Sequence, residues 1–253
     1  MTMKKTLLLS LLAFLLCIPA GAQYFDHLAV GVGAGTEGIG LELAAPLGKY
    51  VEVKAGYGTA VGLVGIKLQD VSVPEHPGNA SSKNVSVPLT LRLGMSDARL
   101  LFSFFPFSDA DFHLTAGAYM GSPRFLRGIL DGMPEAYNTV GLDVDGYLVK
   151  AHSNVLEAQV CAPGIGGENF AVKPYLGIGY GRAIKGDRRI GYSVNLGALY
   201  QGKPSLWADG EGITGRVKRV PLSGLSALDS AEKYLSYATF WPVLNFHLYI
   251  RLF

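Results

Sequence analysis

Residues 240–253 read FWPVLNFHLYIRLF, and the fold turns on how that stretch is parsed. Leu244, Phe246, Leu248, Ile250 and Leu252 alternate with Asn245, His247, Tyr249 and Arg251. A period of two puts the first set on one face of a strand and the second on the other. A helix would scatter both sets around its circumference. The strand is also long: a tilted strand needs about 9–11 residues to cross a bilayer core, whereas soluble sheets mostly use about 5–6.

The same alternation recurs upstream. Val30, Val32 and Ala34 oppose Gly31, Gly33 and Gly35; Ile39, Leu41 and Leu43 oppose Gly40, Glu42 and Ala44; Val51, Val53, Ala55 and Tyr57 oppose Glu52, Lys54 and Gly56. Val85 to Leu93 oppose Ser86, Thr90, Arg92 and Gly94, and Phe112, Leu114 and Ala116 oppose His113, Thr115 and Gly117. Leu176, Ile178 and Tyr180 oppose Lys173, Tyr175, Gly177 and Gly179, while Ile190 to Tyr200 oppose Arg189, Ser193, Asn195 and Gly197. Segments 60–69, 98–105 and 139–150 keep the pattern imperfectly. Lipid leaves an open sheet edge without hydrogen-bond partners, at several kcal/mol per group, so spanning strands must close on themselves. The expected fold is therefore all-β: a closed antiparallel transmembrane β-barrel over residues 23–253. About ten strands are expected, with eight and twelve open, an even number returning both termini to one side. Ser226-Ala227-Leu228-Asp229 reads as a capping box, with Leu225, Leu228, Leu235 and Ala238 at helical spacing; a short amphipathic helix over 225–238 is expected before the last strand.

Residues 1–22 carry the address. Lys4 and Lys5 precede an apolar run from Leu7 to Ile18, and Ala20-Gly21-Ala22 forms an A-x-A site, so export with cleavage after Ala22 is expected. Removing that segment takes two of the 22 basic residues and none of the 20 acidic ones, leaving a neutral chain. Neutrality argues against nucleic-acid binding. Hydrophobic residues at 49% with charged ones at 17% exclude a disordered chain. Of the two cysteines, Cys17 follows Phe14-Leu15-Leu16, which is no lipobox, and Cys161 is left alone, so neither a disulfide framework nor a thiolate metal site arises.

If the apolar set faces lipid, the other set lines the lumen. Gly31, Gly33, Gly35, Gly40, Gly56, Gly94, Gly117, Gly177, Gly179, Gly181, Gly191 and Gly197 fall there, leaving room for larger side chains to cross a narrow interior. Glu42, Glu52, Asp143 and Asp145 would meet Lys54, Arg92, Arg99, Lys173, Arg189 and Arg251. Buried charges left unpaired cost several kcal/mol, so a salt-bridge network plugging the lumen is expected.

Other motifs reduce to the same frame. Gly33-Ala34-Gly35-Thr36-Glu37-Gly38 matches G-x-G-x-x-G, but a second strand follows where a nucleotide site needs a helix, so it reads as a hairpin. No histidines pair at metal-ligand spacing, and no cofactor is implied. His113, inward beside Thr115, is the one catalytic candidate, although some lipid-modifying barrels use a histidine with a serine and an acid, and such a histidine belongs at the outward rim. Phe102, Phe104, Phe105, Phe107 and Phe112, with Phe240, Trp241, Phe246, Tyr249 and Phe253, suit interfacial girdles.

Three stretches carry a resemblance: LLFSFFPFSDADFHLTAGAYMG from Leu100, KPYLGIGYGRAI with IGYSVNLGALYQGKP from Lys173, and the terminal FWPVLNFHLYIRLF. The chain resembles small outer-membrane β-barrel proteins of Bacteroidota, whose members mostly lack an assigned activity. That resemblance implies the outer membrane of a Gram-negative envelope, lipid contact, and periplasmic chaperones and the barrel-assembly machinery as biogenesis partners. Tyr249 and Phe253 resemble the C-terminal assembly signal, although Phe253 is out of phase with the Leu244–Leu252 set. The expected role is non-enzymatic, structural or interacting. A narrow channel or small-solute transporter is the first alternative, a lipid-modifying enzyme the second, and a soluble periplasmic barrel with an apolar ligand the third.

Overall fold

The computed structural model describes residues 27–74, 82–108, 110–131, 142–144, 147–150, 152, 155–166, 170–186, 188–211, 217–222 and 237–252. The signal segment, Asp145, Phe253 and residues 225–236 of the expected helix lie outside them. In chain order the strands are β1 (Ala29–Gly35), β2 (Gly38–Pro46), β3 (Val51–Pro74), β4 (Ser82–Phe104), β5 (Phe112–Gly121), β6 (Arg124–Asp131) and β7 (Leu142–Val144). They continue with β8 (Tyr147–Val149), β9 (Val155–Cys161), β10 (Ala171–Arg182), β11 (Ile190–Tyr200), β12 (Ser205–Glu211), β13 (Val217–Pro221) and β14 (Phe240–Arg251). A 3-10 turn, Tyr237–Thr239, leads into β14.

Eight strands close the barrel, in the order β1-β2-β3-β4-β5-β10-β11-β14 and back to β1, every pair antiparallel. Of the strand numbers expected, eight holds rather than ten, because segments 60–69 and 98–105 prolong the wall strands β3 and β4, while β7 and β8 stand off the ring. β4 pairs with β5 from Phe104 to Asp97 and, further along, with β6 from Leu93 to Leu89. β6 follows β5 across Ser122-Pro123, where proline has no N–H to give a ladder. β9 pairs with β6 and runs on to β10, and β12 pairs with β9 after following β11. β13, β8 and β7 complete this collar around β12.

β1 begins and β14 ends at one end of the barrel, which also carries the tight connections 47–50, 105–111 and 183–189. The longer connections, among them that between β13 and β14, leave from the collar end. At the terminal end Tyr50, Phe104, Phe107, Phe112, Tyr180 and Tyr192 are exposed, and at the other end Tyr200 meets Phe240 edge-on at 5.5 Å. Between these aromatic rims the wall is greasy outside: Ile39 and Leu176 are each 69% exposed, while Glu42 and Lys54 are 2% and 1% exposed.

One phase assignment is corrected. The sequence pattern puts Leu91 and Leu93 outside and Arg92 and Gly94 inside; in the structure Arg92 and Gly94 are exposed, and Leu93 packs on Ala60, Met95, Phe125, Val160 and Ala162. The inner face of β4 runs from Leu93 and Met95 to Asp97, Arg99 and Ser103 without changing register. Above the belt water lies outside the wall, so apolar residues there belong inside.

Candidate functional site: a sealed polar lumen

The lumen is built from inward positions of all eight wall strands. On β3, Lys54 Nζ lies 3.2 Å from Glu52 and donates to Ser193 Oγ on β11 at 3.2 Å. Asn195 Nδ2 donates to the same hydroxyl at 2.8 Å, and Asn195 Oδ1 sits 2.9 Å from His113 Nε2 on β5. Thr115 donates to Asn195 at 3.4 Å and contacts Ser103 at 3.0 Å. A second knot centres on Arg99 of β4, whose Nε is 2.8 Å from Glu42 and whose Nη2 is 2.7 Å from His247 Nε2. The Tyr249 hydroxyl donates to Glu42, and Arg99 Nη1 lies 3.8 Å from Glu37, which accepts from Asn245 Nδ2 at 2.9 Å. Lys173 of β10 donates to both Asp97 oxygens at 3.1 Å and to the Ser122 carbonyl at 3.3 Å.

Glycine makes this density possible. Gly31 and Gly33 stand opposite Tyr249 and His247 in the ladder, and a Cβ on either would overlap the facing ring. A Cβ on Gly179 would overlap the His113 ring, and one on Gly56 would lie 2.9 Å from Arg99 Nε. The void lined by Glu37, Gly58, Met95, Asp97, Arg99 and Tyr119 holds about 10 Å³, the lower limit for a single water. At the terminal end Phe105 packs under His113 with the Arg182 guanidinium 3.8 Å above its ring. Arg182 also donates to the carbonyls of Lys49, Phe107, Ser108 and Ala110, stitching the short connections across the mouth.

Of the residues expected in the lumen, the structure gathers Glu42, Glu52, Lys54, Arg99 and Lys173. It does not gather the others. Arg92 faces outward on the collar, and Arg189 is exposed at the start of β11. Arg251 is half-buried at the terminal end and donates to the Gly186 carbonyl at 2.8 Å. Asp143 belongs to β7, off the ring. Arg92 and Arg189 stand where their strands run past the belt, so their guanidinium groups reach water. Sequence reasoning missed Glu37 and Asp97 as lumen acids. Glu37 was hidden in a glycine-rich hairpin turn, while Asp97 shares the parity of Arg99 and was findable by carrying that phase two residues back. Tyr249, read as part of an assembly signal, is fully buried in the network. His113 is also fully buried; its Nδ1 lies 3.2 Å from the Asp111 carbonyl, and its position is the lumen, not the rim.

A closed antiparallel sheet with aliphatic and aromatic side chains outside and paired charges inside is a bilayer-spanning β-barrel. Among solved structures the chain is similar to CarO2 of Acinetobacter baumannii, at 16% identity over 90% of this chain and 99% of that one, with a TM-score of 0.48. It is also similar to CarO of the same organism, at 17% identity over 89% and 97% with a TM-score of 0.43. A major outer membrane protein of Thermus thermophilus matches at 12% identity over 89% and 98%, with a TM-score of 0.37. No protein-family model matches the sequence, and comparison with curated proteins gives no match. No Bacteroidota family is assigned by these comparisons.

Proposed function

We propose that the chain is an integral outer-membrane β-barrel protein, non-enzymatic, with a structural or interaction role in the envelope. The single observation behind this reading is the inverted wall: Leu244, Phe246, Leu248 and Ile250 exposed, with Asn245, His247 and Tyr249 buried on the same strand. Bacterial barrels keep short turns in the periplasm and long loops outside, which puts the terminal end in the periplasm and the collar at the cell surface. The export segment ending at Ala22 and the Tyr249–Phe253 terminus suit passage by periplasmic chaperones to the barrel-assembly machinery. The ion-paired lumen argues against the channel alternative, because a conducting path would have to break the Arg99 and Lys173 knots together.

The test is fractionation followed by electrophoresis. Protein extracted from outer membranes is expected to migrate faster unheated than boiled, as closed barrels resist detergent at room temperature. Recovery in the soluble periplasmic fraction would remove the reading.

A further inference from the structure

The collar carries a cluster that the barrel does not need. Arg92 of β4 and Arg127 of β6 are direct register partners, so two guanidinium groups leave adjacent strands side by side. Like charges placed opposite each other destabilise a sheet unless a negative group lies between them. A bulge at Phe125 returns Arg124 to the same face, and Gln159, opposite Arg127 on β9, completes the row. All three arginines are exposed and line one cleft of about 330 Å³. Only Arg127 has an acidic partner among the described residues, Glu157, so the cleft keeps an excess of positive charge. Among the described residues the buried Gln159 Oε1 has no hydrogen-bond partner, so no bond through its oxygen fixes that amide.

Height selects the ligand. Beginning at Phe104, the outward positions of β4 are Phe102 and Leu100, followed by the small Ala98, Ser96 and Gly94. An apolar band about 25 Å tall takes about 9–11 tilted residues, so it ends near Gly94. Arg92 is the next outward residue, at the level of lipid headgroups. Planar guanidinium forks match phosphate oxygens in pairs. We propose that the Arg92–Arg124–Arg127 cleft is a phosphate-binding site for the headgroup of an outer-leaflet lipid, a proposal that rests on the outer-membrane reading above for the lipid but not for the anion site itself.

The experiment titrates the purified, detergent-solubilised mature protein with bis-phosphorylated lipid A, with dephosphorylated lipid A and with inorganic phosphate, reading bound ligand by native mass spectrometry. The triple variant Arg92→Gln, Arg124→Gln, Arg127→Gln is expected to bind bis-phosphorylated lipid A at least about tenfold more weakly, consistent with the loss of charge-assisted hydrogen bonds. Arg188→Gln, at the opposite end, is expected to bind like the wild type. Dephosphorylated lipid A should bind the wild type as weakly as the phosphorylated lipid binds the triple variant. Displacement of lipid A by inorganic phosphate at similar concentrations keeps the anion site and assigns it to free phosphate. Unchanged affinity in the triple variant, or equal binding of the two lipid A forms, overturns the proposal. Heat-modifiable migration of each variant reports folding; should the triple variant not fold, Arg92→Gln alone is read in the same way, an unchanged affinity again being fatal. Fractionation of the wild type tests the outer-membrane reading separately.

Discussion

Gly33 and His247 face each other across β1 and β14, and the ring fills the space that any side chain on the glycine would take. Gly33→Leu should therefore push His247 off Arg99 and destabilise the barrel by about 1–3 kcal/mol, as overpacking does elsewhere. Urea unfolding in lipid vesicles measures it, and an unchanged midpoint would mean the lumen is looser than described. Arg99 is the residue on which most lumen groups converge: Glu42, Glu37 and His247 all lie against its guanidinium. Arg99→Met strands the Glu42 carboxylate and should cost about 3–5 kcal/mol in the same assay. The double variant Arg99→Met, Glu42→Gln should recover part of that loss, because it no longer leaves a buried charge alone.

At the scale of the element, β4 shows how one strand serves two solvents. Its inner face is aliphatic beside the collar and ionic inside the barrel, and its outer face changes from Arg92 to Phe102 and Phe104. A lipid-facing arginine should therefore be expensive only within the belt. Phe246→Arg, halfway along β14, is expected to destabilise the barrel by about 2–4 kcal/mol, and Gly94→Arg, at the rim, by about 0–1 kcal/mol. Among the described residues a Cβ at Gly94 meets nothing within 4 Å, which keeps steric strain out of the comparison. Equal costs in reconstituted vesicles would contradict the placement of the belt. The same strand explains the phase error at Arg92: alternation sorts residues onto two faces but does not reveal which medium each face meets. For β14 the pattern was fully legible from Asn245 to Ile250, since lipid bounds that stretch of the strand throughout.

For the whole molecule, closure and filling make one prediction. Purified protein in planar bilayers should show no large, stable conductance, because the described lumen is crossed by three ion-paired knots and closed at the terminal end by Phe105 and Arg182. Long-lived openings would put the channel alternative ahead of the structural reading. The local sequence determined the two-faced strands, the glycines on the crowded side and the need for internal charge pairing, since side-chain direction repeats every two residues whatever lies beyond the strand. Only the tertiary structure decided that eight strands close the ring, that Glu37 and Asp97 join the lumen, and that Arg92 leaves it. Those outcomes depend on which strands become neighbours and how far each rises above the lipid, and both are properties of the closed sheet that no single strand contains.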